Sequence, residues 1–422
     1  MASSQPIPLG PEDRAILELE SATIAGHTCK VVRLGAGAPD VARLRERIAE
    51  RISLAPLLTR RLGGAAGAPA WVLDEDFDVA RHVVAAEVAA PLDRRGVLEL
   101  VARRFEQRLE RDRPLWRIDV APCADGGGVL VWRIHHALAD GTASMRYARA
   151  LLWDERADAP APRDAASAAR QAAADDARRR AHLAGFLKRE FAPSRVRSPF
   201  DGRIGTRREI GFAAVRLGAL REAAHRLAGA TVNDAVLCVV AGALRRWVEH
   251  HHGELGEIRA RIPVSLHHEG DDAANRDSFF SIGLRLWQPD PVVRLRRIHA
   301  QTAERKAAQD ARLREQLLEE LRAVSPSLRR FAARVERSPR QFALSISNVP
   351  GPRAPVAVLG APVARLHSLA EIGERHALRA SAVSVADLLC IGFCADPAIV
   401  DDVQVLADGV EAEAAALIAA AA

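Results

Sequence analysis

The sequence predicts an α/β protein of layered α+β character, built as two mixed halves joined by a linker. Strand-like and helix-like stretches alternate on both sides of a segment rich in Ala, Asp, Arg and Pro that begins at Asp154 and runs to about Arg180. At 422 residues the chain exceeds what one hydrophobic core usually organises. No fixed-period repeat points to a solenoid. The expected division is residues 1–153, a partly helical linker at 154–200, and residues 201–422.

In the first half, His27–Leu34 is β-rich, and Val41–Ile52 has helical spacing. Asp93–Leu109 is a second amphipathic helix, with Val97, Leu100, Val101, Phe105 and Leu109 on one side. Trp116–Val120 and Gly128–His135 read as strands separated by the turn-like Ala124-Asp125-Gly126-Gly127. After the linker, Phe186 to Phe200 mixes apolar and basic side chains, suited to a domain seam or to a lipid surface. Ile210–Leu217 and Ile258–Ser265 are strand candidates flanking a long helix from Val232 to about His250. That helix opens on Thr231-x-x-Asp234, a variant capping box. Ser278–Leu286, Phe342–Ser347 and Leu388–Phe393 complete the strands. A charged helical region spans about Val292 to Val335 with a break near Pro326, and an Ala-rich helix begins at Asp401.

Composition narrows the function classes. Aromatics are 4% with Tyr147 the single tyrosine, too few for a base-stacking surface, so nucleic acid is not an expected partner. The net charge of +6 is almost all arginine, since Lys30, Lys188 and Lys306 are the lysines. This reads as a compositional bias toward Arg and Ala, compatible with phosphate-bearing ligands such as coenzyme A. Five cysteines with no C-x-x-C pair read as reduced, buried thiols. Met1–Gly10 lacks a secretory pattern, and the longest apolar run, Ala235–Leu244, is too short to span a bilayer. A cytoplasmic protein, with contact to membranes or lipid droplets, is expected.

The most informative segment runs from Val129 through Ile134-His135-His136-Ala137-Leu138-Ala139-Asp140-Gly141. An apolar strand leads into two histidines, and a short loop ends in Asp-Gly before a helical stretch. Strand alternation sends His135 and His136 to opposite faces, which argues for one base and one structural neighbour rather than a metal pair. A histidine at a rigid strand end is mostly neutral at working pH and suits general-base work. Asp140 is placed to cap the following helix, and Gly141 to permit a close approach or a positive φ. The plainer reading is that the two histidines cap a strand. His250-His251-His252 winds around a helix end, and His267-His268-x-x-Asp271 lies in a polar turn. The members of the first point in different directions, the second lacks the Asp-Gly spacing, and no metal is expected.

His135-His136-x-x-x-Asp140-Gly141 resembles the signature of the coenzyme A-dependent acyltransferases that include chloramphenicol acetyltransferase and peptide-synthetase condensation domains. Within that superfamily the chain is most similar to bacterial wax ester synthase/diacylglycerol acyltransferases. Pro114-Leu115-Trp116, Thr231-Val232-Asn233-Asp234, Pro263-Val264-Ser265 followed by Asn275, and Ser347-Asn348-Val349-Pro350-Gly351-Pro352 carry the likeness in the family's order. So does the opening from Asp13 through Glu20 to His27. The resemblance implies two chloramphenicol acetyltransferase-like domains with an active-site tunnel between them. It also implies His136 as base, supported by His135, Asp140 and Gly141. Asn233, Ser347, Asn348 and Trp116 are the candidate substrate-binding residues, Trp116 as a substrate wall, although a tryptophan so placed more often belongs to a core. Pro350-Gly351 fits a type II turn.

No cofactor is implied; acyl-CoA is a co-substrate, and a hydroxyl compound is the acceptor. Arg117, where the family often has an acidic residue, and Ser384-Val385-Ala386-Asp387, where Ser-Tyr-x-Gly is usual, are departures. They bear on acceptor identity. A long-chain alcohol or diacylglycerol is the leading acceptor. Another hydroxyl of secondary or envelope metabolism, and a catalytically silent acyl-CoA or lipid binder, are the competing readings.

Overall fold

The computed structural model describes residues 5–155, 198–265, 277–308, 339 and 341–422, apart from residues 36, 38, 66 and 254. The linker at 156–197, most of the Phe186–Phe200 segment, His267, His268, Asp271, Asn275 and the region around Pro326 lie outside the described residues. The first half runs β1 (Ile7–Pro8), α1 (Pro11–Glu18), β2 (His27–Leu34), α2 (Val41–Arg51), β3 (Arg60–Ala65), β4 (Ala68–Leu73) and α3 (Val79–His82). It continues with β5 (Val83–Ala85), α4 (Arg94–Glu106), β6 (Trp116–Pro122), β7 (Gly128–His135) and α5 (Gly141–Leu151). The second runs β8 (Glu209–Arg216), α6 (Leu217–Ala228), α7 (Val232–His252), β9 (Arg259–Ser265), β10 (Asp277–Gly283) and α8 (Pro291–Ala307). It closes with β11 (Leu344–Val349), β12 (Ala357–Val358), β13 (Ala361–Ala370), β14 (Leu378–Val385), β15 (Leu388–Ala395) and α9 (Val403–Ala421).

Short polar residues set many of the helix starts. Asp40, Asp93, Asp140 and Asp290 each accept a backbone N–H from the first turn they precede. The Thr231–Asp234 capping box forms in both directions at the start of α7. Gly229 ends α6 at φ 62°, a left-handed value that glycine adopts without steric penalty. The run Ala235–Leu244 lies wholly buried in α7, at the centre of the C-terminal core. No single described helix is long and apolar enough to cross a membrane.

Among the described residues two mixed six-stranded sheets, in the orders β12-β13-β2-β7-β6-β5 and β10-β9-β11-β14-β15-β8, organise the fold beside a small three-stranded sheet, β1-β4-β3. β12 and β13 follow β11 in sequence yet belong to the first sheet, where β13 pairs antiparallel with β2. The chain then returns to the second sheet as β14. This excursion stitches the halves together, because β13 also packs across β14 and β15. A Cβ at Gly392 on β15 would sit 2.5 Å from the Ser368 carbonyl of β13, so glycine permits the crossing. One core joins α4 to α6, α7, α9 and the second sheet. Another packs α2 and α5 on the first sheet and takes in Val383, Val385 and Cys390 from the second.

Candidate active site

All eight residues of β7 are buried, and antiparallel partners on both sides fix its end in place. His135 pairs with His27 of β2. The His135 ring is held at both nitrogens. Its Nδ1 accepts from the Ala137 N–H at 3.1 Å, which leaves the ring proton on Nε2 to be donated to Glu20 at 3.0 Å. Glu20 also receives Arg108 at 3.0 Å and Arg111 at 2.6 Å. Burial works to raise the Glu20 carboxyl, but the bonds from His135 and Arg111 win and hold it at about 2. With both nitrogens engaged and 3% of the residue exposed, His135 pins the turn and is not positioned to exchange protons with a substrate.

His136 leaves the strand. Its backbone N–H donates to the Gly26 carbonyl at 2.8 Å, and the Leu138 and Ala139 N–H groups close the turn on the His135 carbonyl. The His136 side chain is half-buried, unlike its neighbour. Burial, then the Arg379 guanidinium, lowers its imidazole from the ordinary value to about 4; its own backbone carbonyl and Asp140 pull the other way. The ring is therefore neutral at any working pH.

Asp140 is fully buried and caps α5, accepting the Ala143 N–H at 2.7 Å. Gly141 meets the second half of the chain. A Cβ there would lie 2.7 Å from Cγ2 of Val349 at the end of β11, and Gly141 has no positive φ, so close approach explains the glycine. The Asp140-Gly141 corner and β11 are thus in van der Waals contact across the seam. Lys30, buried on β2, donates to Ser368 of β13 at 2.7 Å. Burial lowers its ammonium to about 8, against the pull of Asp140 and of the neighbouring Cys29.

The register of β11 against β14 identifies which side chains share the seam with Val349. Ser345 pairs with Arg379, Ser347 with Ser381 and Val349 with Val383, so alternation puts all of them on one face. The Ser347 hydroxyl donates to the Ser381 hydroxyl at 3.1 Å, as that placement requires. Arg379 bonds the Glu371 carbonyl at 3.0 Å. The seam face therefore presents hydroxyls and a guanidinium opposite the loop that carries His136.

The other sequence-predicted residues separate. Asn348 alternates to the opposite face with Ile346, on the side where α7 packs, and is half-buried. Asn233 is half-buried in the first turn of α7. Its neighbour Asp234 joins α7 to α8, accepting from His299 at 2.8 Å and Thr302 at 2.6 Å.

Trp116 corrects the expectation of a substrate wall. It is 1% exposed, donates Nε1–H to the Leu58 carbonyl at 2.7 Å and stacks on His82 at 4.5 Å, so its faces are filled by the core. The type II turn is also corrected. Gly351 has no positive φ; a Cβ there would instead strike the Ser384 carbonyl, and its N–H donates to the Ser384 hydroxyl at 3.1 Å. His251 stacks on Trp247, and among the described residues no group of three or more His, Cys, Asp or Glu could hold a metal ion. Arg379 was missed because the strand bearing it was not anticipated. Glu20 was noted only as part of the opening segment.

Two family models match the chain, a wax ester synthase/diacylglycerol acyltransferase catalytic domain over residues 9–189 and a WS/DGAT C-terminal domain over residues 273–417. A putative diacylglycerol O-acyltransferase of Mycobacterium bovis is 27% identical over 383 residues, covering 84% of this chain and 82% of that protein. A probable diacylglycerol O-acyltransferase of Mycobacterium tuberculosis is 28% identical over 423 residues, covering 91% and 92%. Among solved structures, the wax ester synthase/diacylglycerol acyltransferase from Marinobacter aquaeolei VT8 superposes with a TM-score of 0.72 at 24% identity, covering 98% of this chain and 99% of that one. The first condensation domain of the CDA synthetase superposes with a TM-score of 0.63 at 18% identity, covering 99% and 98%. A starter condensation domain of rhizomide synthetase, solved in complex with C8-CoA, gives 0.59 at 15%, covering 98% and 95%.

Proposed function

Since the chain belongs to the wax ester synthase/diacylglycerol acyltransferase family, we propose that it transfers a long-chain acyl group from acyl-CoA to the hydroxyl of a long-chain alcohol or diacylglycerol, with His136 as general base. The observation that carries the reading is the half-buried, neutral imidazole of His136 on a turn pinned at the seam between the halves. The relatives named as diacylglycerol acyltransferases support the acceptor class, and the C8-CoA bound by the rhizomide synthetase domain supports the donor.

His136 accepts the hydroxyl proton as the oxygen attacks the thioester carbonyl. An alcohol is too weak an acid to be deprotonated beforehand by an imidazole held this low, so proton transfer and C–O bond formation are coupled. The resulting imidazolium is destabilised by burial and by Arg379, which favours return of the proton to the departing thiolate. His135 keeps the turn rigid, Asp140 and Gly141 fix the start of α5, and Ser347 stands on the opposing face of the seam. Ser347 and Arg379 are the groups best disposed to stabilise the tetrahedral oxyanion. Asn348, on the α7 side of the second sheet, and Asn233, in the first turn of α7, are assigned to substrate binding. Transfer proceeds in a ternary complex without an acyl-enzyme. We place the protein in the cytoplasm, in peripheral contact with membranes or lipid droplets, where its insoluble substrates collect.

The test is acyl-CoA with a panel of acceptors: long-chain alcohols, diacylglycerol, and polar hydroxyl compounds. Thiol release that requires an alcohol or diacylglycerol is expected. Release with polar hydroxyls alone moves the enzyme to other metabolism, and tight acyl-CoA binding without release on any acceptor makes it a carrier.

A further inference from the structure

We propose that the buried Arg208–Glu371 pair, contributed by the C-terminal half, is a positioning unit for His136 that acts through the segment 20–26. The inference rests on the reading of His136 as base. His136 depends on that segment for its place, because its backbone N–H is held by the Gly26 carbonyl at 2.8 Å. Gly26 has a φ of 76° and lies so close that a Cβ would sit 2.6 Å from Nε2 of His135. Outside an isolated bridge between Ser21 and Ile24, the segment has no ladder of its own. It is instead gripped from two directions.

Arg108 provides the grip within the N-terminal half, donating to the Ile24 carbonyl at 2.7 Å, to the Ser21 carbonyl and to Glu20 at 3.0 Å. The second grip crosses the seam. Glu371, immediately after β13, accepts the Ala25 N–H at 3.1 Å with one oxygen and the Arg208 Nε–H at 3.0 Å with the other. Arg208, just before β8, donates in addition to the Thr23 carbonyl. Their side chains are 2% and 9% exposed. A buried ion pair is weak evidence for stability, since desolvation offsets much of its Coulombic gain, but it fixes geometry wherever both partners also bond the backbone. Here each does, on residues one and three positions before Gly26. The Glu371 carbonyl, moreover, holds Arg379 at 3.0 Å, the guanidinium whose charge reaches His136. One residue of the C-terminal half thus sets both the backbone and the electrostatic surroundings of the base.

The experiment compares full-length wild type, Glu371→Gln, Arg208→Lys and the double variant Arg208→Met/Glu371→Leu. Each is measured for kcat and KM with a long-chain acyl-CoA and a long-chain alcohol, for thermal stability, and for backbone hydrogen exchange. A glutamine turns one amide N–H toward either Ala25 or Arg208, so one bond must fail. The expected result for Glu371→Gln is a kcat lower by about 10- to 100-fold, the scale of a misplaced reacting group, with the acyl-CoA KM within about twofold. The His136 amide should exchange about tenfold faster or more while Leu130–Ile134 keep their protection. Arg208→Lys should fall between. The double variant, which removes both buried charges, should recover stability but neither kcat nor His136 protection. Wild-type kcat and protection in Glu371→Gln would overturn the proposal, as would recovery of both in the double variant, or loss of protection spread evenly over β7 and β13. If wild type shows no turnover with any acceptor of the panel, the reading of His136 as base fails by itself, and the exchange data still decide whether the clamp exists.

Discussion

Alanine at position 141 isolates the contact on which the seam depends. Gly141 is the first residue of α5 and has no positive φ, so in an open helix Gly→Ala would stabilise the protein by about 0.5–1 kcal/mol. The structure reverses that sign. The new Cβ would stand 2.7 Å from Val349 Cγ2, where ordinary contact begins at 3.4 Å, so the stiff valine or the spacing of α5 and β11 must give by about 0.7 Å. Overpacking of this kind costs about 1–3 kcal/mol, which offsets the helical gain and leaves a net loss of up to about 2.5 kcal/mol. The displacement falls on Asp140 and the turn bearing His136, where a 1 Å error lowers kcat by up to about 100-fold. Trimming the partner should relieve it: Val349→Ala in the Gly141→Ala background should recover most of the lost rate and show a coupling of about 1–2 kcal/mol. Urea unfolding and initial rates on the four proteins of this cycle provide the assay. A Gly141→Ala protein as stable and active as wild type, or a double variant no better than the sum of its singles, would refute the reasoning.

Arg379→Gln should move the acid limb of kcat/KM upward from about pH 4, because the cation disfavours the His136 imidazolium. The limb should stay below 6.5, because burial, the larger cause, remains. A pH profile with an unmoved limb contradicts this. Glu20, held at about 2 against an ordinary 4.5, contributes stability that is complete above pH 4.5 and lost as pH falls toward 2. Unfolding free energy followed over that window should decline less steeply in Glu20→Gln than in wild type, because Asp154 and Asp234, also held low, still protonate there. Trp116→Phe keeps an aromatic ring but drops the bond to Leu58, and should lower stability by about 1–3 kcal/mol with both KM values unchanged. A selective rise in KM would restore Trp116 to the substrate wall.

The parts of this fold that read clearly from the sequence are those whose order is local. β7 was bounded residue for residue because an apolar run ends in a polar pair. α4 and α7 were placed because a capping residue precedes a periodic stripe, though α4 ends at Glu106 rather than Leu109 and α7 runs on to His252. β13 and β14 were not anticipated. Their sequences, with Pro362, Arg365, His367 and Ser368 in one and Arg379, Ser381 and Ser384 in the other, carry no clean alternation, because a strand in a seam meets polar partners from two sheets. The same cause hid Arg379 and the role of Glu371. The histidine motif identified the turn and its capping aspartate, yet the proximity of Gly141 to Val349 joins positions some two hundred residues apart and has no local signal. Trp116 was misplaced for the opposite reason: a motif residue looks functional in one dimension even when its ring completes a core.

The most direct measurement is the initial rate of CoA release by His136→Ala relative to wild type, at saturating acyl-CoA and acceptor and neutral pH. Loss of the base should reduce the rate by about 10²- to 10⁴-fold while acyl-CoA affinity is retained, and the release that wild type shows should require acceptor. A variant turning over within a few-fold of wild type would remove His136 from the chemistry, however well the turn around it is built.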